Sequence, residues 1–185
     1  MITIVSGLPR SGTSLMMQML AAGGMQILSD GERAADVDNP RGYLEWERIK
    51  RLPRDPTCIA EAEGKAVKVI SLLLLSLPEG HDYRVVFMQR PLPEVLASQQ
   101  AMMRNRKTTG ADVSLIAGAF EKNLRAVDAW LDSKPYVKTL RVPYHDVLQD
   151  ARAIAQKLTD FLEVPLNLDG MTQQIDTTLY RNRSK

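Results

Sequence analysis

Within its 185 residues the chain has one cysteine, Cys58, and only two histidines, His81 and His145. The single thiol excludes an intramolecular disulfide framework and suits a reducing compartment; its default place is a buried small side chain. Charge of either sign is not in excess: 24 Lys and Arg against 22 Asp and Glu leave a formal +2, too little to imply a nucleic-acid partner. No apolar run reaches membrane-spanning length, and the leucine-rich block at residues 70–77 falls far short. The apolar start of the chain is interrupted by Pro9, Arg10, Ser11 and Gly12, unlike the core of a cleavable signal. Repeats, low-complexity tracts and linker-like stretches are missing as well. These absences point to one soluble, cytoplasmic domain over residues 1–185, long enough to bury roughly two thirds of its unfolded surface.

What is present is an alternation of strand and helix signals. Residues 1–6 have the β-branched, apolar character of a buried parallel strand. "TSLMMQMLAA" reads as a helix, ended by Gly23 and Gly24. Residues 25–28 suggest a short second strand, 29–41 a polar loop on the ligand side, and 44–52 a short charged helix stopped near Pro53. Residues 66–70 are strand-like, whereas 72–76 fit either its extension or a helix start, and the stretch around Cys58 has no readable period. The clearest interior strand is "RVVFM" at 84–88, with a helix expected over 93–103 and a polar break up to Gly110. A long amphipathic helix over 113–131, a strand over 137–141 and a helix over 150–161 complete the series. Strands separated by helices predict a three-layer α/β/α fold around a mainly parallel sheet.

The segment "IVSGLPRSGTS" carries the strongest chemical signal. Gly7 and Gly12 have the spacing of a phosphate-binding turn, but Thr13 follows where a nucleotide-hydrolysing loop has lysine. Backbone N–H groups converge in such a turn and the helix start adds its unpaired donors. Thr13 and Ser14 add hydroxyls, and Arg10 a guanidinium. The bland alternative is a tight strand-to-helix turn. Strand 84–88 ends in Gln89 and Arg90 with no carboxylate to hold magnesium, so the expected ligand has phosphates and no bound metal.

"GLPRSGTS" resembles the 5′-phosphosulfate loop of the sulfotransferase family, whose donor is 3′-phosphoadenosine 5′-phosphosulfate (PAPS) and whose product is PAP. The resemblance implies a P-loop-like sulfotransferase fold and donor contacts from Leu8, Pro9, Arg10, Ser11, Gly12, Thr13 and Ser14. It places Arg10 where the bridging phosphate oxygen departs, and Thr13 and Ser14 on the 5′-phosphate. "RPLPEVLAS" resembles the family's second signature, an arginine and a serine eight residues apart, and assigns Arg90 and Ser98 to the 3′-phosphate. "VPYHDVLQD" puts Tyr144 at a family tyrosine position, and "IDTTLYRNR" resembles a closing segment whose basic residues, here Arg181 and Arg183, approach the same phosphate. The chain departs from the family in "VKVIS": Lys68 is kept, but Ile70 stands where many members have a histidine general base.

A base must then be sought elsewhere. His81 precedes strand 84–88 and so belongs at the wrong edge of the sheet, while His145 lies on the correct side beside Tyr144. "NPRGYLEWE" resembles segments of bacterial members and offers Glu45, expected near the start of a helix across the crevice mouth. Two readings of Glu45 stand: a partly buried base with a raised pKa, or a carboxylate favoured by a helix N-terminus. Asp36, Asp38 and Glu47 are reserves. Tyr43 and Trp46 either meet an apolar acceptor or anchor their segment to the core. "RNRK" at 104–107 is either a solvated face or a lid over the donor. The resemblance implies sulfuryl transfer from PAPS to a hydroxyl or amine of a small-molecule or carbohydrate acceptor, with no metal, nucleic acid or membrane involved. A P-loop nucleotide or small-molecule kinase and a non-catalytic nucleotide-binding scaffold are the alternatives, and the oligomeric state is left open.

Overall fold

A computed structural model describes residues 1–105, 112–176 and 178. Its centre is β1 (Ile2–Gly7), buried at every position. Being β-branched and apolar on both faces, it takes the middle of a five-stranded, all-parallel sheet. The other strands are β2 (Ile27–Leu28), β3 (Ala66–Lys68), β4 (Tyr83–Gln89) and β5 (Val137–Pro143), in the order β2-β3-β1-β4-β5. The helices are α1 (Thr13–Ala22), α2 (Ser71–Leu74), α3 (Leu92–Asn105), α4 (Val113–Ser133), α5 (Tyr144–Gln149), α6 (Ala151–Leu162) and α7 (Leu168–Thr172).

Alternation along the strands divides the core between two faces. Ile2, Ile4, Val85 and Phe87 face one side, where Val127 and Leu131 of α4 pack with Trp46, Leu52, Cys58 and Ile59. Val5, Val86 and Met88 face the other, against Met16, Met17 and Leu20 of α1, Ile154, Leu158 and Leu162 of α6, and Met171 of α7. The three-layer α/β/α expectation is met. Because every strand runs the same way, Gly7, Lys68 and Gln89 end at one edge, and the order reverses beside β1. A crevice opens outside the strand ends at such a switch point.

Several elements differ from the sequence reading. The helix expected at 44–52 is a 3₁₀ helix over Glu47–Arg51 alone, preceded by extended chain. Its start is pre-empted because the Glu45 carbonyl accepts from Ser29 Oγ at 3.0 Å and from the Asp30 amide at 3.2 Å. Leu44, at φ 49°, also breaks the helical path. The helix expected over 150–161 forms as α6, whose first turn is capped by the Asp150 carboxylate on the Ala153 amide at 2.9 Å, and the short α5 before it was not foreseen. The short α7, capped by Asn167, was not foreseen. Residues 72–76 resolve towards helix as α2, and the unassigned Cys58 stretch is a 3₁₀ helix over Pro56–Ala62 with Cys58 buried. Among the described residues no helix is long and apolar enough to cross a membrane.

One buried polar contact fixes the approach from β3 to α2. Ser71 Oγ donates to Asn123 Oδ1 on α4 at 2.6 Å, with both residues buried. Asn123→Ala strands a buried hydroxyl, so unfolding free energy should fall by about 1–3 kcal/mol in urea titration. The double variant with Ser71→Ala should recover part of that loss; strictly additive losses would show that the two groups do not interact.

Candidate active site

The loop from β1 to α1 is confined at both of its glycines. Gly7 adopts φ 147°, and a Cβ there would lie 2.4 Å from Ser11 Oγ and 2.7 Å from the Met88 carbonyl oxygen. Gly12, at φ 98°, leaves no room because the Tyr144 ring would be 2.4 Å from its Cβ. Arg10 lies between them at φ 70°, a left-handed conformation that costs about 1–2 kcal/mol for a residue with a side chain. Contacts hold it there. Arg90 Nη1 donates to the Arg10 carbonyl at 3.0 Å, while Arg10 Nε donates to Ser98 Oγ at 3.0 Å and Arg10 Nη2 to the Asp38 carbonyl at 3.1 Å. Arg90 Nε is itself gripped by the buried Glu94 carboxylate at 2.9 Å, and its guanidinium lies 5.0 Å from the Tyr144 ring centroid. Arg90 and Ser98 therefore converge as their spacing implied, with Arg10 between them.

The cation missing after Gly12 arrives from another strand. Lys68, at the end of β3 and buried, directs its ammonium to Ser14 Oγ at 3.0 Å, the Tyr43 carbonyl at 3.0 Å and Glu45 Oε1 at 3.2 Å. Three acceptors match its three protons. Ser14 Oγ also accepts from Asn39 Nδ2 at 2.9 Å. With both lone pairs engaged, the Ser14 hydroxyl has its own proton to give, the polarity that an anionic oxygen needs. The first-turn amides of α1, which have no partner within the helix, add further donors. Burial pushes the Lys68 pKa down; the Glu45 carboxylate offsets part of this, and Arg33 and Arg10 add to the lowering.

Glu45 lies between two cations. Besides Lys68, Arg33 Nη1 donates to both of its carboxylate oxygens at 3.0 Å. Burial would raise the Glu45 pKa, but Lys68 and Arg33 outweigh it and hold the carboxyl below its ordinary value. The raised pKa expected from partial burial is thus replaced by a lowered one, and Glu45 precedes the 3₁₀ helix instead of starting a helix. The Arg33 guanidinium sits 3.4 Å from the Tyr43 ring centroid, so the ring is buried beneath it. Tyr43 and Trp46 are both buried, which favours their anchoring role.

The remaining candidates have other places. His81 lies near Glu63 in the loop entering β4, at the edge away from the site, as its position implied. His145 Nε2 is 3.2 Å from the Glu94 carboxylate and does not line the cleft. Asp36 accepts from the Tyr43 hydroxyl and from the amides of Asp38 and Asn39, an arrangement that shapes its loop. Glu47 pairs with Lys50 at 2.5 Å.

Leu8, Pro9, Arg10, Gly12, Thr13, Ser14, Glu45, Arg90, Ser98 and Tyr144 line one cleft of about 570 Å³. Ser11 does not: it lies behind the loop, 1% exposed, with its hydroxyl unpartnered. Arg181 and Arg183 lie outside the described residues, as do Arg106 and Lys107 of the expected lid. Sequence reasoning did not single out Arg33 or Asn39, whose partners lie 12 and 25 residues away. Among the described residues no cluster of His, Cys, Asp and Glu could hold a metal ion.

Comparison with known families matches residues 2–185 to the sulfotransferase domain. The chain belongs to the sulfotransferase family. Solved structures agree on the fold. The sulfotransferase STF1 from Mycobacterium tuberculosis H37Rv has a TM-score of 0.62 at 16% identity, over 94% of this chain and 70% of that one. The sulfotransferase domain of the Synechococcus PCC 7002 olefin synthase gives 0.57 at 13%, over 100% and 80%. The sulfotransferase domain from the curacin biosynthetic pathway gives 0.56 at 15%, over 95% and 77%. No curated protein matches the sequence significantly.

The lowered Glu45 pKa has a testable sign. The stability that its ion pairs contribute is complete above the ordinary glutamate pKa and is lost as pH falls through the lowered folded value. Arg33→Gln removes one of the two compensating cations and should move the Glu45 titration upward, as read by carboxyl ¹³C NMR. An unchanged titration would mean that the Arg33 contact contributes nothing in solution.

Proposed function

We propose that this family member is a single-domain, PAPS-dependent sulfotransferase that moves a sulfuryl group to a hydroxyl or amine of a small-molecule or carbohydrate acceptor. The observation that carries the reading is the polarity of the loop. Ser14 is left to donate by the bonds from Lys68 and Asn39, and it stands beside Thr13, the first-turn amides of α1 and the Arg10 guanidinium. This array of donors suits a phosphosulfate, and the turn is too tightly packed at Gly7 and Gly12 for any side chain. PAPS would supply an activated S–O bond, which breaks at the bridging oxygen as the acceptor oxygen or nitrogen bonds to sulfur.

The residues then divide the work. Arg10 faces the developing charge on the leaving phosphate, from a backbone fixed by Arg90 and a guanidinium fixed by Ser98 and Asp38. Arg90 and Ser98 take the 3′-phosphate, with Tyr144 packed beneath the arginine. Glu45 receives the acceptor proton. Held ionised by Lys68 and Arg33, it is available at neutral pH without prior deprotonation.

If Arg90 and Ser98 serve a 3′-phosphate, PAP should bind at least tenfold tighter than 5′-AMP in magnesium-free calorimetry. That factor corresponds to about 1.4 kcal/mol, within reach of one charge-assisted contact. Equal affinities would count against the donor assignment, and Ser98→Ala should narrow the gap.

Glu45→Gln keeps the size of the side chain but cannot take a proton. Turnover with PAPS should fall about a hundredfold or more while PAP affinity stays nearly constant. Retention of more than about a third of wild-type kcat, with chemistry rate-limiting, would reduce Glu45 to an ion-pair partner of Lys68.

A further inference from the structure

Exposed apolar side chains line part of the cleft. Among the described residues seven large apolar side chains are exposed, and Val37 and Ile70 are the two of them that line it. Val37, 63% exposed, and Ile70, 36% exposed, both line the cleft, as does the partly buried Met102.

Their positions are set by the elements that build the site. Ile70 is two residues beyond Lys68 on extended chain, so both side chains project to the same face, where Lys68 meets Glu45. Met102 lies one helical turn past Ser98 and one before Asn105, on a single stripe of α3. Ser98 on that stripe accepts from Arg10, and Asn105 Nδ2 donates to Asp38 Oδ1 at 2.7 Å. That second contact brings the loop carrying Val37 against the same helix. Two walls of the cleft, the end of β3 and the loop-α3 wall, thus expose apolar groups to the same cleft that Glu45 lines.

Several of the polar side chains lining the cleft are already engaged within the protein, although the buried Gln99 Oε1 is not. Asn39 Nδ2 is bonded to Ser14, Arg41 Nη1 to the Gln174 carbonyl at 2.6 Å, and Gln18 Nε2 lies 3.4 Å from the Arg41 carbonyl. A polyhydroxylated acceptor would need to displace these bonds, whereas an apolar body would cover Val37, Ile70 and Met102 at no such cost.

We propose that the acceptor is an amphipathic alcohol: its hydroxyl sits at Glu45 and Lys68, and its apolar body lies in the slot formed by Ile70, Val37 and Met102. The inference rests on the sulfotransferase reading of the same cleft and chooses among the acceptors that reading allows. Ile70, where many members have a histidine, then contributes to acceptor selection.

The test uses the full chain, labelled PAPS, and the linear alcohols ethanol, butanol and hexanol, with glucose as the polar comparison. kcat/KM should rise by about threefold or more per added methylene until the slot is filled, and glucose should be the poorest acceptor. Ile70→Asn and Val37→Asn should each flatten the series while PAP affinity, measured by calorimetry, is unchanged. A flat series in the wild-type chain, or glucose exceeding hexanol, overturns the proposal while leaving the donor assignment intact. Failure to bind PAP would instead overturn the donor assignment. The slot is then read directly: hexanol should shift the methyl NMR signals of Ile70, Val37 and Met102, and unshifted methyls overturn the proposal.

Discussion

The buried ammonium of Lys68 is the contact on which the site depends. It joins three pieces of chain: the first turn of α1 through Ser14, the 43–45 segment through the Tyr43 carbonyl and the Glu45 carboxylate, and the end of β3 from which it projects. Removing a charge of this kind from water is costly, and it is tolerated because each proton has an acceptor and one acceptor is anionic. The same arrangement orients the Ser14 hydroxyl outward and keeps Glu45 ionised. Lys68 thus contributes, with Asn39 and Arg33, to the polarity of the glycine-framed turn and of the carboxylate facing it.

A second network does the same for the other half of the cleft. Arg10 is held in a left-handed conformation by Arg90 and Ser98, and Arg90 is held by Glu94. The strain at Arg10 is local, whereas the groups that maintain it come from the residue after β4 and from α3. Such over-determination is what keeps an unfavourable backbone conformation populated. Neither network includes water-exposed partners alone, so both should resist screening better than the surface pairs do.

Much of this was legible in the sequence because the signals are local. The glycine spacing, the hydroxyls after Gly12 and the eight-residue interval from Arg90 to Ser98 are each encoded within one strand-turn-helix unit. The sheet also followed from apolar runs bounded by turns. What escaped was set by distant partners. Glu45 depends on Arg33 and Lys68, 12 and 23 residues away, so its environment could be read as partly buried but not as doubly paired. The non-helical chain at residues 44–46 goes with the left-handed Leu44 and with capture of the Glu45 carbonyl by Ser29 and Asp30, which no propensity anticipates. The short helices α5 and α7 span only 6 and 5 residues, too few for a period to show.

The strand order also constrains how the molecule assembles. β1 is synthesised first but occupies the centre, paired with β3 and β4, so Thr3 meets Ala66 and Ile2 meets Tyr83. Closing the glycine-framed turn involves a hydrogen bond between residues 80 apart. Until β4 has emerged from the ribosome, the first strand is an apolar segment with both edges unsatisfied and the turn beyond it has no wall. Chain closure of this length is slow compared with helix formation, and the donor groups of the turn cannot reach their final geometry before the sheet does. The cleft is therefore a late product of folding, because its glycine-framed loop waits for walls contributed by later strands and helices.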